Sequence, residues 1–305
     1  MAKGNLLIHL YGLAWTLARP ILRRHHRLRE GFSWRLVPDN WAGSLAADGQ
    51  KQLPQTDVWI QAASGGEAYL AWEIAAHLPE LRQKAGKQNG DPLRLLVTTW
   101  TRQGLEILQA MTAKLTSMHP ELSIRVTFFP LDTLGLMERA LRQARPKVVA
   151  LLETELWPGL MLACARHHVP VLVLNGRMTD KSLRQYRHLQ NLFQDFWQQI
   201  APRRIAAISP EDGKRFAELF GSERVELVSN IKFDRAMPSN TDTPCPSDLL
   251  ELLPPAAHGG RTVLLASVRA EEEEALMGVL RYLRTGRAEE TLPTIIIAPR
   301  HMHRV

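Results

Sequence analysis

The stretch DVWIQAASGGEAYLAWEIAAHLPEL, residues 57–81, decides the fold of this chain. It opens with an apolar run, Val58, Trp59 and Ile60, that is typical of a buried strand. Small residues follow, and apolar side chains then recur at helical spacing from Ala68 to Leu78. A buried strand, a glycine-rich turn and an amphipathic helix in succession predict one βα unit of a parallel sheet.

One carboxylate, Glu67, stands between this strand and this helix. Gly65 and Gly66 precede it and permit a tight turn and the close approach of a ligand. The free N–H groups and the dipole of the helix favour negative charge, so we expect Glu67 to be ionised near neutral pH. Open α/β sheets place their chemistry at the carboxyl ends of parallel strands. Glu67 is therefore a candidate catalytic residue, and the alternative is an acid that only stabilises its helix.

The pattern of strand followed by helix continues to residue 234. Further strands are predicted over residues 93–99, 124–129, 148–152, 169–174, 205–208 and 225–228, with helices over 102–114, 134–144, 158–168 and 181–200 and from 209 onward. Six or seven βα units in series predict an α/β fold with a doubly wound parallel sheet.

Residues 235–260 are rich in proline and glycine and are typical of a linker. Beyond them the sequence predicts only a strand (262–265), a helix (270–283) and a strand (294–298). We therefore expect a sheet domain over 30–234 and an incomplete second domain over 261–305, because two strands and one helix cannot cover both faces of a sheet.

The positive charge of the chain is concentrated at one end. The formal net charge is +7, and residues 1–35 hold seven Lys or Arg side chains against one acid. The remaining sequence is nearly neutral, which argues against a general nucleic-acid surface. The two cysteines, Cys164 and Cys245, form no disulfide framework and favour a reducing compartment.

Residues 6–22 form an apolar segment interrupted only by His9, Thr16 and Arg19. Its length is at the lower limit for a membrane-spanning helix, and it lacks the cleavage site of a signal peptide. Arginines follow it directly, so the globular part should lie on the cytoplasmic side of a membrane. We predict that residues 1–29 are a membrane anchor. A spanning helix, a helix lying in the membrane interface and a core helix of the globular domain stay open.

Four predicted loops carry polar groups that a protein core does not need. The loops hold Ser64 and Glu67; Glu153, Thr154 and Glu155; residues 175–182 with Arg177; and residues 229–234 with Lys232. In a doubly wound sheet these loops lie at the same rim. Carboxylates and cations together suit a reaction that removes a proton and expels an anion. Helix capping by the acids and surface ion pairs of the cations are the alternatives.

Two other kinds of site find no support in the sequence. The nucleotide-binding patterns GxGxxG and GxxxxGK[ST] are absent. The histidines at 25–26, 167–168 and 301–303 have no acidic or cysteine partner at ligand spacing, so we predict no metal site and no cofactor.

The polar loops resemble those of the Kdo transferases, which transfer 3-deoxy-D-manno-octulosonic acid (Kdo) from CMP-Kdo to a lipid A precursor. The resemblance rests on five motifs: AASGGE (62–67), LLETELWPGL (151–160), NGRMTDKSLRQYRHL (175–189), SNIKFD (229–234) and APRH (298–301). Two segments depart from the family pattern. Gly65 stands where the family usually has valine, and SVRAEEE (267–273) replaces the family's Ser-Thr-His-x-Gly-Glu-Glu.

The resemblance implies a glycosyltransferase B fold of two doubly wound domains and an inverting, metal-independent transfer. It implies Glu67 as the proton acceptor, Glu153 and Lys232 as transition-state stabilisers, and contact of CMP with Pro299 and Arg300. Together with the glycine-rich turn and the rim cations, it makes Ser64, Gly65, Gly66 and Arg177 candidate substrate-binding residues. The implied partners are CMP-Kdo, a lipid A precursor and the membrane surface, on the cytoplasmic side of the inner membrane.

Two alternatives stay open. A non-catalytic, membrane-associated nucleotide or sugar binder would keep the fold, and the altered segment 267–273 favours it. A nucleotide-sugar epimerase of similar fold is disfavoured by the membrane anchor.

Overall fold

The computed structural model of the chain describes residues 2–25, 28–29, 31–36, 55–86, 91–236, 262–284 and 294–300. The chain divides into two compact units, Met1–Met237 and Pro238–Val305. The division falls in the stretch predicted as a linker, most of which lies outside the described residues.

The first unit contains a seven-stranded parallel sheet. Its strands are β1 (Val58–Ala62), β2 (Leu93–Thr99), β3 (Leu122–Phe128), β4 (Val148–Leu152), β5 (Val171–Gly176), β6 (Arg204–Ala207) and β7 (Val225–Leu227). The strand order is β3-β2-β1-β4-β5-β6-β7. The register of the three central strands is given by Val58 of β1, which pairs with Leu95 of β2 and with Val148 of β4. The predicted doubly wound sheet is confirmed.

The helices of this unit cover both faces of the sheet; α1 precedes β1, and the others lie between successive strands along the chain. They are α1 (Ala2–Arg24), α2 (Gly65–Lys84), α3 (Arg102–Met118), α4 (Leu134–Ala144), α5 (Pro158–Arg166), α6 (Asp180–Leu192), α7 (Gln194–Gln199) and α8 (Pro210–Phe220). Successive residues of β1 point to opposite faces, so Trp59 packs into one core cluster and Ile60 into the other. Burial on both faces explains the continuous apolar runs of the strands.

The predicted helix over 181–200 is wrong in one respect, because the structure has two helices there. Phe193 leaves the helical conformation (φ −138°, ψ 51°) and separates α6 from α7. Beyond the break, Phe196 and Trp197 are buried in the core. An amphipathic pattern continues across such a break, so periodicity alone does not reveal it.

The N-terminal apolar segment is a helix that packs on the sheet domain. Ile8 of α1 is buried, and Leu7, Tyr11, Trp15 and Leu22 pack against the same core cluster as the sheet. The opposite side of α1 leaves apolar residues exposed: Leu10, Leu13, Leu17 and Ile21. The expected separation of residues 1–29 from the sheet domain is therefore wrong for α1. Among the described residues, no helix is long and apolar enough to cross a membrane.

The second unit has the predicted order of strand, helix and strand. Strands β8 (Thr262–Val268) and β9 (Thr294–Pro299) are parallel, and a short 3₁₀ turn (Ala270–Glu272) leads into α9 (Glu273–Arg284). Glu272 accepts a hydrogen bond from the Arg269 backbone N–H (2.9 Å) and so caps the turn after β8.

Candidate active site

The carboxyl ends of β1 and β4 form the crevice where the strand order reverses. The sheet extends through β2 and β3 on one side and through β5, β6 and β7 on the other. Ligands of open α/β sheets bind at this kind of switch point. Ser64 and Glu67 follow β1, and Glu153 follows β4 directly, so the two predicted carboxylates border the crevice.

Glu67 is buried at the start of α2, with 8% of its surface exposed. The Ala63 backbone N–H donates to Glu67 Oε2 (2.6 Å), and the Ser64 hydroxyl donates to Glu67 Oε1 (3.1 Å). Ser64 Oγ in turn accepts from the Glu67 backbone N–H (3.3 Å), which is the reciprocal pattern of a helix cap. Glu67 therefore makes the contacts of an acid that stabilises the start of its helix, which is the alternative to a catalytic role that the sequence left open.

Burial raises the pKa of Glu67, against the direction that the helix dipole alone would give. The Ala63 amide and the Ser64 hydroxyl oppose this shift. The charge of Glu153 also raises the pKa of Glu67, and the charge of Lys232 lowers it. The three residues with predicted catalytic roles therefore lie close enough together to interact electrostatically.

Glu153 and Lys232 form an ion pair at the mouth of the crevice, with Lys232 Nζ 2.6 Å from Glu153 Oε1. Their side chains are 23% and 46% exposed, respectively, so the pair is open to solvent. Glu153 has a left-handed backbone, with φ 55°. That conformation costs a non-glycine residue about 1–2 kcal/mol, and such strain is common where a side chain must face a site.

Asn175, near the end of β5, connects this strand to the segment that carries Lys232. Its Oδ1 accepts a hydrogen bond from the Ile231 backbone N–H (3.0 Å), and Asn230 Oδ1 accepts from the Lys232 backbone N–H (3.0 Å). Asn175 is 1% exposed, and its Nδ2 has no hydrogen-bond partner among the described residues. The sequence analysis named this loop but missed Asn175. Its position directly after the strand predicted over residues 169–174 is the pattern that could have identified it.

Glu155 is a third carboxyl group of the site. Burial raises the pKa of Glu155 to about 8, and the charges of Glu67 and Glu153 add to the rise. Its Oε2 is buried and has no hydrogen-bond partner among the described residues. Near neutral pH this group is mostly protonated, so the site combines an ionised pair with a neutral carboxyl donor.

The capping alternative for Glu153 and Glu155 is wrong. Helix α5 begins at Pro158, and its first N–H groups are bound by Asp132 instead. Asp132 is fully buried, and it accepts from the backbone N–H groups of Gly159 (2.8 Å) and Leu160 (2.7 Å). No pattern in the sequence predicts that Asp132 contacts the start of α5.

Asp132 also connects α1 to the site. The Tyr11 hydroxyl donates to Asp132 Oδ2 (2.9 Å). Three stacked indole rings form a second connection: the centroid of Trp15 lies 5.8 Å from that of Trp100, and the centroid of Trp100 lies 5.2 Å from that of Trp157. Trp157 ends the loop that carries Glu153. The N-terminal helix is therefore joined to Asp132 by a polar contact and to the loop that carries Glu153 by aromatic contacts.

Arg35 is a further buried residue that the sequence analysis missed. It is fully buried, and it donates to the Trp100 carbonyl (2.6 Å) and the Phe129 carbonyl (3.2 Å), just beyond the ends of β2 and β3. Burial lowers the pKa of Arg35 to about 10. It fixes residues 31–36 to the rim of the sheet.

The glycine-rich turn and Arg177 also border the rim. A Cβ on Gly65 would lie 3.3 Å from the side chains of Gln103 and Ile107, so a larger residue here would require those side chains to shift. A Cβ on Gly66 would have only the Ser64 hydroxyl within 4 Å, at 3.8 Å, so there is room for a ligand beside this residue. Arg177 is exposed, and it has no ion-pair partner among the residues that the structure describes.

Pro299 and Arg300 lie in the second unit. Pro299 ends β9, and the Arg300 backbone N–H donates to the Val268 carbonyl (2.9 Å), which closes the end of the two-stranded sheet. The Arg300 side chain is exposed. As for metals, the described part of the chain contains no group of three or more His, Cys, Asp or Glu residues that could hold an ion.

Comparison with known structures defines the fold. A putative UDP-N-acetylglucosamine 2-epimerase from Listeria monocytogenes has a TM-score of 0.51 at 11% identity, over 80% of this chain and 62% of that one. A second UDP-N-acetylglucosamine 2-epimerase has a TM-score of 0.50 at 15% identity, over 80% and 61%. These likenesses support the glycosyltransferase B type of α/β fold and say nothing about the reaction.

Comparison of sequences gives the family. The 3-deoxy-D-manno-octulosonic acid transferase of Rickettsia conorii is 31% identical over 249 residues, which cover 81% of this chain and 47% of that protein. The enzyme of the same name from Bordetella pertussis is 27% identical over 307 residues, covering 100% of this chain and 65% of that protein. The chain spans about half the length of several curated relatives that it matches.

The family model described as 3-Deoxy-D-manno-octulosonic-acid transferase (kdotransferase) matches residues 37–235, which include the seven strands of the first unit, the crevice and the segment carrying Lys232. The chain therefore belongs to the 3-deoxy-D-manno-octulosonic-acid transferase family.

Proposed function

We propose that this chain carries the acceptor side of a glycosyltransferase that moves Kdo from CMP-Kdo to a hydroxyl group of a lipid A precursor, in lipopolysaccharide synthesis. The observation that carries the proposal is the cluster of Glu67, Glu153 and Lys232 at the switch point of a sheet in a member of this family. The reaction inverts the anomeric centre and proceeds without a metal.

Glu67 is the proposed general base. The acceptor hydroxyl must lose its proton as its oxygen attacks the anomeric carbon of Kdo, and a carboxylate within hydrogen-bond distance can accept that proton. The raised pKa of Glu67 makes it a stronger base than an exposed glutamate. The hydrogen bond from Ser64 to Oε1, at 3.1 Å, is the longer of the two side-chain contacts of Glu67. An acceptor hydroxyl that replaces it would face Oε1 directly.

Lys232 and Arg177 are the proposed countercharges. The bond to the leaving CMP phosphate breaks with negative charge developing on oxygen, and fixed cations stabilise that charge. The leaving group is a phosphate monoester, whose smaller charge does not require the metal that a diphosphate often does. Glu153 holds Lys232 at 2.6 Å and so orients its ammonium group. Pro299 and Arg300 are the proposed contacts to CMP.

A metal-free mechanism makes a direct prediction. Incubation with excess EDTA should leave the rate of Kdo transfer unchanged within a factor of about two, because the described residues show no ligand cluster. The measurement is the initial transfer rate before and after chelation, with a magnesium-dependent enzyme in the same buffer as the control. Activity that disappears with EDTA and returns with a divalent ion would contradict this mechanism.

We further propose that α1 binds the cytoplasmic surface of the inner membrane, where a lipid acceptor lies. Leu10, Leu13, Leu17 and Ile21 are 53–71% exposed on the side of α1 away from the sheet. Arg23 and Arg24 end the helix and are also exposed. An apolar face with adjoining arginines is typical of a helix that lies in the membrane interface.

The variant Leu17→Asp should weaken binding to anionic vesicles at least about tenfold, because it places a charge in the middle of this apolar face. Leu81→Asp is the matched control, since Leu81 is 56% exposed on α2 and Leu17 is 68% exposed on α1. Vesicle co-sedimentation measures both. Equal binding by the two variants would show that another surface contacts the membrane.

The non-catalytic binder is the competing function, and it is favoured by the two hydrogen bonds that already occupy Glu67. Genetic complementation separates the two functions. Expression of this protein in a Gram-negative strain whose own Kdo transferase is switched off should restore growth, and the Glu67→Gln variant should not. Failure of the wild-type protein to restore growth, at normal expression, would favour the binder.

A further inference from the structure

We infer that Trp15 of α1 is a positioning residue for the loop that carries Glu153, so that α1 is part of the active-site scaffold as well as a helix that binds the membrane. This loop, residues 153–157, runs from the end of β4 to the start of α5. The inference rests on the proposed function, because it gives Trp15 a part in the same transfer reaction. Trp15 acts through Trp157 of the loop and not through the substrate.

The conformation of the loop depends on contacts from outside it. Glu153 has a left-handed backbone (φ 55°), which a non-glycine residue keeps only where its surroundings fix it. The backbone N–H groups of Glu155 and Leu156 donate to the carbonyls of Leu152 (3.3 Å) and Thr154 (2.8 Å), respectively. These bonds join near neighbours in the chain, so they shape the loop without fixing it to the rest of the domain.

The two ends of the loop are held by different contacts. At its start, the Glu153 backbone N–H donates to the Leu174 carbonyl of β5 (3.0 Å). At its far end, the Trp157 ring stacks on Trp100 (5.2 Å between centroids, 25° between planes) and also contacts Phe129 (5.3 Å). Trp100 and Phe129 directly follow β2 and β3. The rings at the edge of the sheet therefore anchor the far end of the loop.

Trp15 extends this group of rings from α1. Its ring stacks on Trp100, with 5.8 Å between centroids and 14° between planes. Tyr11, one turn earlier on α1, contacts Trp15 edge-on (6.1 Å) and donates to Asp132, which binds the first N–H groups of α5. Aromatic pairs in these geometries are stabilising beyond the area that they bury. Helix α1 thus contacts both residues that hold the end of the loop, Trp100 and Asp132.

The contacts of Trp15 are separate from the proposed membrane-binding face of α1. Tyr11 and Trp15 pack against the core cluster of the sheet domain, whereas Leu13 and Leu17 are 54% and 68% exposed. A substitution of Trp15 therefore leaves the exposed apolar face in place. Its effect on catalysis can be measured apart from any effect on membrane binding.

The first experiment measures Kdo transfer to an acceptor dispersed in detergent micelles, where membrane binding is not required. Trp15→Leu should lower kcat about tenfold and leave the KM for the acceptor within about twofold, because it misplaces Glu153 without removing an acceptor contact. Trp15→Phe keeps an aromatic ring on Trp100 and should recover most of kcat. Trp34→Leu is the matched control and should leave kcat nearly unchanged, because Trp34 contacts Phe128 at the end of β3 (6.0 Å).

A double-mutant cycle tests whether Trp15 acts through Trp157. If it does, the losses of kcat in Trp15→Leu and Trp157→Leu do not multiply, and the double variant should stay within about threefold of Trp157→Leu alone. Fully multiplied losses would show that the two residues act independently and would overturn the inference. A normal kcat in Trp15→Leu would overturn it as well.

Hydrogen exchange gives a readout that does not need transfer activity. The backbone amides of Leu156, Gly159 and Leu160 should exchange at least about tenfold faster in Trp15→Leu than in the wild type, while amides of β5 keep their rates. The same amides in Trp34→Leu should exchange as in the wild type. This local change in a protein that transfers no Kdo would count against the proposed function and leave the link between α1 and the loop standing. Unchanged exchange in the loop, or equally faster exchange in β5, would overturn the inference.

Discussion

Glu67→Gln should lower the rate of Kdo transfer by at least about a hundredfold, which is the usual loss when a general base is removed. Glutamine keeps the size of the side chain and can still accept the hydrogen bond from the Ala63 N–H. Its amide cannot take the proton of the acceptor hydroxyl, however. We therefore expect the fold and acceptor binding to persist while the chemical step fails.

The control for this variant lies on the same helix. Glu80→Gln changes an exposed acid of α2 that pairs with Lys84 (2.7 Å), and it should leave the rate nearly unchanged. Single-turnover rates and the melting temperatures of both variants complete the comparison. A Glu67→Gln enzyme with near-normal turnover would show that Glu67 acts only as a helix cap.

Asp132→Ala should be the most destabilising single substitution among the residues discussed. It leaves the buried N–H groups of Gly159 and Leu160 and the hydroxyl of Tyr11 without their acceptor. Each unsatisfied buried group costs about 1–3 kcal/mol, so we expect the free energy of unfolding to fall by about 3 kcal/mol or more. Denaturant unfolding followed by circular dichroism measures the change. Tyr11→Phe, which removes one of the three hydrogen bonds, should cost about 1 kcal/mol.

The same carboxylate gives the protein a pH dependence. Burial raises the pKa of Asp132 to about 6. An unfolded aspartate titrates near about 4, so between these values the folded protein binds more protons than the unfolded chain. Stability should therefore fall as the pH rises from about 4 to 6. Asp132→Asn, which cannot titrate, should lack this fall. An equal fall in Asp132→Asn and the wild type would assign the pH dependence to other groups.

The order of strands and helices could be predicted from the sequence because strands that are buried on both faces have continuous apolar sequences. Val148–Leu152 and Leu134–Ala144, for example, have their predicted bounds. Polar residues in the segments that follow such strands, Glu67 and Glu153 among them, could be placed at one rim from topology alone. Phe193 shows the limit, since a local break in a helix depends on packing that periodicity does not record.

Contacts between segments distant in sequence could not be predicted. Tyr11 and Asp132 are 121 residues apart, and the pattern around each gives no sign of the other. The apolar composition of residues 6–22 identified this segment but not which of its side chains pack on the sheet. The raised pKa of Glu67 likewise depends on burial by the whole domain, which outweighs the helix dipole that the local sequence displays.

The central claim, that the crevice between β1 and β4 serves Kdo transfer, is tested most directly by product analysis. The protein is incubated with CMP-Kdo and a lipid A precursor, and mass spectrometry follows the lipid while chromatography follows CMP. We predict that the lipid gains Kdo and that one CMP is released for each Kdo transferred, in the presence of EDTA. CMP-Kdo that stays intact beside unmodified lipid, with a folded and membrane-bound protein, would contradict the claim.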